Sequence, residues 1–232
     1  AAFKNIFFWE YFHRLWGRLL GLAFGLPFLI FAITGRVPKG FGWRLTLLLG
    51  LGGFQGVVGW WMVKSGLTEQ ASVSQYRLAS HLAVALVIFS LLIWTGFDLR
   101  DGSAKSPKGH GMASLALLGI TILAGALVAG MDAGLLYNHY PLMGNGLLPV
   151  EYGEAGWLDP FENPASAQFH HRWIAAVTFW TVVVLALNAR RQGLHLRGNL
   201  VLGAVVVQFI LGVVTLLHGV PVALGGMHQA GA

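Results

Sequence analysis

Six long blocks of apolar sequence, parted by short charged segments, constrain this chain more than any motif does. About 20 apolar residues in a helix cross the hydrocarbon core of a bilayer. A helix also satisfies its own backbone hydrogen bonds, which lipid cannot do for it. The blocks run over about 14–34, 43–63, 78–97, 112–130, 173–189 and 198–217, and a seventh begins near Pro221. Composition agrees: 56% of the residues are hydrophobic and 10% are charged, against roughly a quarter charged in soluble domains. The mean hydropathy is +0.65. The chain is therefore read as an all-α, polytopic transmembrane helix bundle.

In a soluble protein a net charge of +6 points to nucleic acid. Here most Lys and Arg residues fall in short loops between apolar blocks, so they report topology, and no nucleic-acid partner is inferred. Arg36, Lys39 and Arg44 mark one loop, Arg100, Lys105 and Lys108 a second, and Arg190, Arg191 and Arg197 a third. The segment from Gly109 to His171 has no Lys or Arg but holds Asp132, Glu151, Glu154, Asp159 and Glu162. The three basic loops are placed inside and the acidic segment outside. Loop 64–77, with Lys64 and Arg77 against Glu69, is mixed. The chain starts Ala1-Ala2-Phe3, shows no signal peptide and stops at Ala232 soon after an apolar start. Residue 1 falls outside, so an earlier span is expected before it. Cysteine is absent, which excludes disulfides, cysteine-held iron–sulfur clusters and thiolate ligation.

The outer segment, about 131–170, is long for a compact bundle. Its prolines, Pro141, Pro149, Pro160 and Pro164, argue against one continuous helix. It reads equally as a solvated loop or as a lid over an outer-face site, with Tyr152, Trp157 and Phe161 in short interfacial pieces.

Nine histidines punctuate the chain. His110 and His195 fall in inner loops, His139 in the outer loop and His218 at the end of the sixth span. Four others share one position in the topology: His13, His81, His171 (beside His170) and His228 all sit where the chain enters from the outer side. Intramembrane histidines are uncommon and usually partnered. Four at one depth point to ligation of heme iron, zinc or copper. Zinc sites are compact and often include cysteine or carboxylate. Histidines on separate helices instead suit a planar macrocycle held between them. Small residues follow each histidine by one turn, at Gly17, Ala85, Ala175 and Ala232. Gly17, Gly21 and Gly25 also read as a helix-packing ridge.

The order His-Arg, Gln-x-x-x-Gly, His occurs twice: His13-Arg14, Gln55 and Gly59, His81; then His171-Arg172, Gln208 and Gly212, His228. Such repetition is common in membrane folds and implies two half-bundles with one histidine pair each. Arg14, Arg77 and Arg172 beside these helices suit either bidentate binding of heme carboxylates or interfacial anchoring by snorkelling. Glu10 stands three residues before His13, where the second half has Gln168 before His171. It reads as an ion-pair partner of Arg14 or as an acid/base group beside a reacting heme edge.

The stretches Glu10-Tyr11-Phe12-His13-Arg14-Leu15-Trp16-Gly17-Arg18, Gly59-Trp60-Trp61-Met62-Val63-Lys64-Ser65-Gly66-Leu67 and Tyr76-Arg77-Leu78-Ala79-Ser80-His81-Leu82 resemble the heme A synthase family. Phe169-His170-His171-Arg172 and Met227-His228-Gln229-Ala230-Gly231-Ala232 resemble its later motifs, in order along nearly the whole chain. Lack of an outer cysteine pair places the resemblance with the proteobacterial and mitochondrial branch. The resemblance implies eight helices in two pseudo-symmetric four-helix halves, of which this chain would lack the first helix and most of the last. Residues 1–108 would form the substrate-heme half and residues 109–232 the heme b half. It also implies oxidation of the C8 methyl of heme O to the formyl group of heme A. By the same resemblance, His13 and His81 hold the substrate heme, His171 and His228 ligate heme b, and Glu10 matches an essential glutamate. Partners implied are heme O, membrane lipid, heme O synthase, an electron acceptor and a second copy of the chain. The location implied is a bacterial cytoplasmic or mitochondrial inner membrane, with the heme sites toward the outer face. Without the resemblance, a diheme b-type electron carrier or a heme transporter or chaperone also accounts for four histidines.

Overall fold

Each apolar block becomes a helix. In the computed structural model, which describes residues 2–65, 73–102 and 109–232, the order is α1 (Ala2–Ile33), α2 (Gly42–Ser65), α3 (Gln75–Asp101), α4 (His110–Gly130), α5 (Asp159–Glu162), α6 (Pro164–Arg191), α7 (His195–Leu217) and α8 (Val222–Gly231). Gly66, Leu67, Glu69, Lys105 and Lys108 lie outside the described residues. No strand occurs among the described residues, only an isolated bridge between Met143 and Gly146. Six helices, α1 to α4, α6 and α7, are long and apolar enough to cross a membrane.

Two helices start well before their apolar blocks. Helix α1 begins at Ala2, so Glu10, His13 and Arg14 lie within a helix that hydropathy alone does not reveal. Helix α6 begins at Pro164, nine residues before the block at 173. Asn163 caps it, its side-chain oxygen accepting from the N–H groups of Ala165 at 3.0 Å and Ser166 at 3.4 Å. Such a cap contributes about 1 kcal/mol. Pro164 occupies the first helical position, where its missing N–H costs nothing. A proline expected to break helical structure therefore starts it.

The chain divides into two compact units, Ala1–Ala71 with Ser80–Ala104, and Ser72–Ala79 with Lys105–Ala232. In the first, α1 packs on α2 through Gly25, where a Cβ would lie 3.4 Å from Leu49 Cδ1. Gly17 and Gly21 of the expected packing ridge face open space. Arg44 of α2 forms an ion pair with Asp98 of α3.

In the second unit α6 packs against α4 and α7, and α7 against α8. The hydroxyls of Thr121 and Thr178 meet at 2.7 Å between α4 and α6. His110, expected in a solvated loop, opens α4 instead, and its Nε2 donates to the Thr181 carbonyl of α6 at 3.0 Å.

The segment 131–163 is a built structure. Asp159, 3% exposed, accepts from Gly153 N–H at 2.8 Å, Ala155 N–H at 3.0 Å, Asn163 Nδ2 at 3.1 Å and the Ser166 hydroxyl. Burial pushes this carboxyl up, but the four donors outweigh it and hold it at about 2. The Tyr137 hydroxyl donates to Glu151 at 2.6 Å, which holds that carboxyl below its ordinary value and raises the phenol. Met143 is 1% exposed, whereas Val150 and Trp157 are 89% and 83% exposed. The segment thus has an interior of its own, with apolar side chains left on its surface.

Candidate functional site

Three of the four candidate histidines meet the same local environment. Each lies early in its helix: His81 in the second turn of α3, His171 in the second or third of α6, His228 in the second of α8. Each ring packs on a glycine of another helix in its own unit. A Cβ on Gly59 of α2 would lie 2.9 Å from His81 Cε1. On Gly125 of α4 it would lie 3.0 Å from His171 Cε1, and on Gly212 of α7, 2.8 Å from His228 Cε1. Glycine is what allows the ring to come this close.

Four residues before each glycine, on the same helix face, stands a hydrogen-bonding group. Gln55 Nε2 donates to the His81 carbonyl at 3.1 Å and lies 3.4 Å from the ring Nε2. Gln208 Nε2 donates to the His228 carbonyl at 2.8 Å and lies 3.1 Å from the ring Nδ1. For His171 the partner is the Thr121 main-chain carbonyl, 3.1 Å from Nδ1. A carbonyl only accepts, so Nδ1 carries the hydrogen and Nε2 keeps the lone pair.

His13 stands on an exposed face of α1, within electrostatic reach of His81; His171 is likewise within reach of His228. No group of three or more His, Asp or Glu side chains gathers as a metal cluster among the described residues. His170 is committed elsewhere. Its Nδ1 donates to the Ser166 carbonyl at 2.7 Å, and its ring stacks on Tyr152 at 5.6 Å.

Glu10 and Arg14 form an i,i+4 ion pair, with 40% and 52% of their side chains exposed, at a cavity of about 200 Å³ that Tyr11 and Arg18 also line. Arg172 binds the outer segment. Its Nη2 donates to the Tyr137 carbonyl at 2.7 Å, and its Nη1 to those of His139 at 2.9 Å and Leu142 at 3.2 Å. Arg77 lies in the first turn of α3, beside Tyr76, whose hydroxyl donates to Glu162. A further cavity of about 300 Å³, lined by Phe54, Val57, Val58, Trp61, Ser80 and Val84, flanks His81 between α2 and α3.

The residues present fit heme. Imidazole is a donor heme iron takes, and each unit offers two. Buried polar atoms without a partner are costly and call for explanation. Among the described residues they are Gln55 Oε1, His81 Nδ1, Gln168 Oε1 and Arg172 Nε. All four belong to, or lie within three residues of, the histidine positions or their partners. Sequence reasoning missed the Thr121–Gly125 pair and the Asp159 hub. The first has the four-residue spacing of Gln55–Gly59 and Gln208–Gly212; the second is foreshadowed by the Asn163-Pro164 helix start.

Six helices long and apolar enough to span a membrane, with three histidine rings packed on glycines of neighbouring helices, define a polytopic integral membrane protein. The family model described as cytochrome oxidase assembly protein (COX15-CtaA) matches residues 1–232. The chain belongs to that family. Among its curated relatives, the heme A synthase of Caulobacter sp. is 44% identical over 242 residues, covering 100% of this chain and 71% of the relative. Heme A synthase of Caulobacter vibrioides is 45% identical over 243 residues, with the same coverage of 100% and 71%. That of Rhodospirillum centenum is 46% identical over 242 residues, covering 99% and 65%. No solved structure matches the chain.

Proposed function

We propose that the chain is the catalytic body of a heme A synthase, which oxidises the C8 methyl of heme O to the formyl group of heme A. The observation that carries this reading is the packing of three of the four candidate histidine rings on a glycine of another helix. The relatives' names support it.

In this reading His13 and His81 hold heme O, on the side where Glu10 breaks the symmetry between the two units. His171 and His228 hold heme b; the packing of the His171 ring on Gly125, against the stacking of the His170 ring on Tyr152, favours His171 over His170. Bound heme b supplies a one-electron redox couple. The chain's own residues bind and orient the macrocycles. Arg14, Arg77 and Arg172 lie where heme carboxylates can be anchored, and the unpaired Nε of Arg172 is a donor open to such a group. Glu10, ion-paired at rest with Arg14, serves as a proton-transfer or cation-stabilising carboxylate near the reacting edge. The charge pattern supports heme sites toward the outer face, and the family resemblance supports a bacterial cytoplasmic or mitochondrial inner membrane. Heme O synthase, an electron acceptor and a second copy of the chain complete the proposed partners.

The test is co-expression of the full-length protein with a source of heme O, followed by heme extraction and mass analysis. Heme A or its hydroxylated precursor is expected, and is lost in His13→Ala and His81→Ala. Bound heme B with unconverted heme O, in a folded protein, would overturn the synthase reading in favour of an electron carrier or a heme chaperone.

A further inference from the structure

We infer that the pairs Gln55–Gly59, Thr121–Gly125 and Gln208–Gly212 are three copies of one positioning device, an imidazole seat that fixes the orientation of an axial histidine. This inference rests on the heme-binding reading above and deepens it. Its basis is geometric. In each copy a hydrogen-bonding group and a glycine stand one helical turn apart, on a helix packed against the histidine's helix. The glycine meets the ring at Cε1, and the partner one turn earlier meets a ring nitrogen.

The glycine is the sensitive element. Ordinary van der Waals contact with a Cβ falls at 3.4–4 Å. A methyl on Gly125 or Gly212 would arrive at 3.0 or 2.8 Å from Cε1, so the ring must tilt or withdraw by several tenths of an ångström. Cε1 is bonded to both ring nitrogens, so a displaced Cε1 carries the ligating nitrogen with it. Helix packing alone gives no reason for three glycines to meet three histidine rings at the same atom. The same helices provide an internal contrast, because a methyl added at Gly119 of α4 or Gly203 of α7 would have nothing within 4 Å.

The seats differ in the ring nitrogen that the partner meets, Nε2 in His81 and Nδ1 in His171 and His228, and in the nature of that partner. His171 is held by a main-chain carbonyl, which cannot rotate away from a helix. His81 and His228 lean on glutamine side chains, which can. The seat of His171 is therefore the rigid one, and Gly125 the position whose filling moves an axial ligand most directly.

The experiment uses the full-length protein purified with its bound heme. Gly125→Ala and Gly212→Ala are compared with Gly119→Ala and Gly203→Ala for heme content, low-spin electron paramagnetic resonance spectrum and midpoint potential. The two control variants are expected to superimpose on the wild type. Gly125→Ala and Gly212→Ala are expected to lose the larger part of the bound heme, or to keep it with shifted resonance and potential. A merely structural glycine would lower thermal stability and leave both signals of the remaining heme unchanged, which overturns the seat. Should an alanine variant fail to accumulate, Gln208→Leu removes the amide and leaves the glycine space intact. A shifted spectrum supports the seat there, and an unchanged one overturns it. Wild-type protein without heme overturns the heme reading and the seat together; low-spin heme in the wild type with unchanged variants overturns the seat alone.

Discussion

The two units carry the same kind of glutamine-backed histidine seat, at His81 and His228, and the second adds at His171 one secured by means the first lacks. In the second unit, Asp159 gathers Gly153, Ala155, Asn163 and Ser166 just ahead of His171, and Arg172 fastens the outer segment to α6 through three carbonyls. His171 itself bonds to backbone. In the first unit, His81 has a glutamine for a neighbour and a buried Nδ1 without a partner. His13 stands exposed on its helix. A histidine held on backbone suits a permanent ligand, and a loosely held pair suits one that must admit and release a macrocycle.

The largest expected effect separates the two pairs. His171→Ala should abolish the bound heme b spectrum of purified protein. His81→Ala should keep that spectrum and lose conversion of heme O. Equal loss of bound heme in both would erase the distinction between the units.

Next comes the hub. Asp159→Ala leaves the Gly153 and Ala155 N–H groups and the Ser166 hydroxyl without their acceptor, at a buried position, and should cost about 3 kcal/mol. The readout is a lowered thermal midpoint in detergent, with faster amide exchange at Gly153 and Ala155. Exchange in α2 should not change.

Acid offers a graded version of the same test. The Asp159 carboxyl is held below its ordinary value of 3.8, at about 2. Its contribution to stability is thus fully present above pH 3.8 and is lost as pH falls through about 2. Protection of the Gly153 and Ala155 amides should persist to about pH 4 and decay below it. Decay beginning near neutrality would show that the hub is not what orders the segment.

Smaller effects belong to the first unit. Arg44→Ala breaks a partly exposed ion pair with Asp98 and should shift stability by no more than about 1 kcal/mol. Glu10→Gln breaks an exposed i,i+4 pair and should leave the thermal midpoint within error. Heme O conversion in Glu10→Gln should nevertheless fall sharply. Unimpaired conversion would reduce Glu10 to an ordinary partner of Arg14.

How much of the fold and site is legible in the sequence depends on which part of a residue carries the information. The six spans are visible because lipid selects for side-chain polarity over a fixed length. The start of α1 is hidden because Glu10, His13 and Arg14 are polar, and polarity does not prevent a helix. Pro164 looks like a break because its role depends on Asn163 and on lying at the first helical position. Gln55–Gly59 and Gln208–Gly212 can be read as a repeat because both members are side-chain choices. Thr121–Gly125 cannot, since the working group there is a main-chain carbonyl that any residue supplies. The Asp159 hub escapes for a related reason: half its donors are backbone N–H groups.

The seat glycines also bear on how this sequence can drift. Glycine and alanine are a single base apart in the genetic code, and the chain holds 32 glycines. At Gly52, Gly53, Gly119 and Gly203 a methyl meets nothing within 4 Å, so exchange there is nearly free in either direction. At Gly59, Gly125 and Gly212 the same base change drives a methyl into an imidazole. A saturation-mutagenesis map would therefore show intolerance at these three points set by a ring on another helix, as well as at Gly130 and Gly198, where a Cβ would lie 2.7 Å from Gln75 Cα and 2.5 Å from Arg190 Cγ.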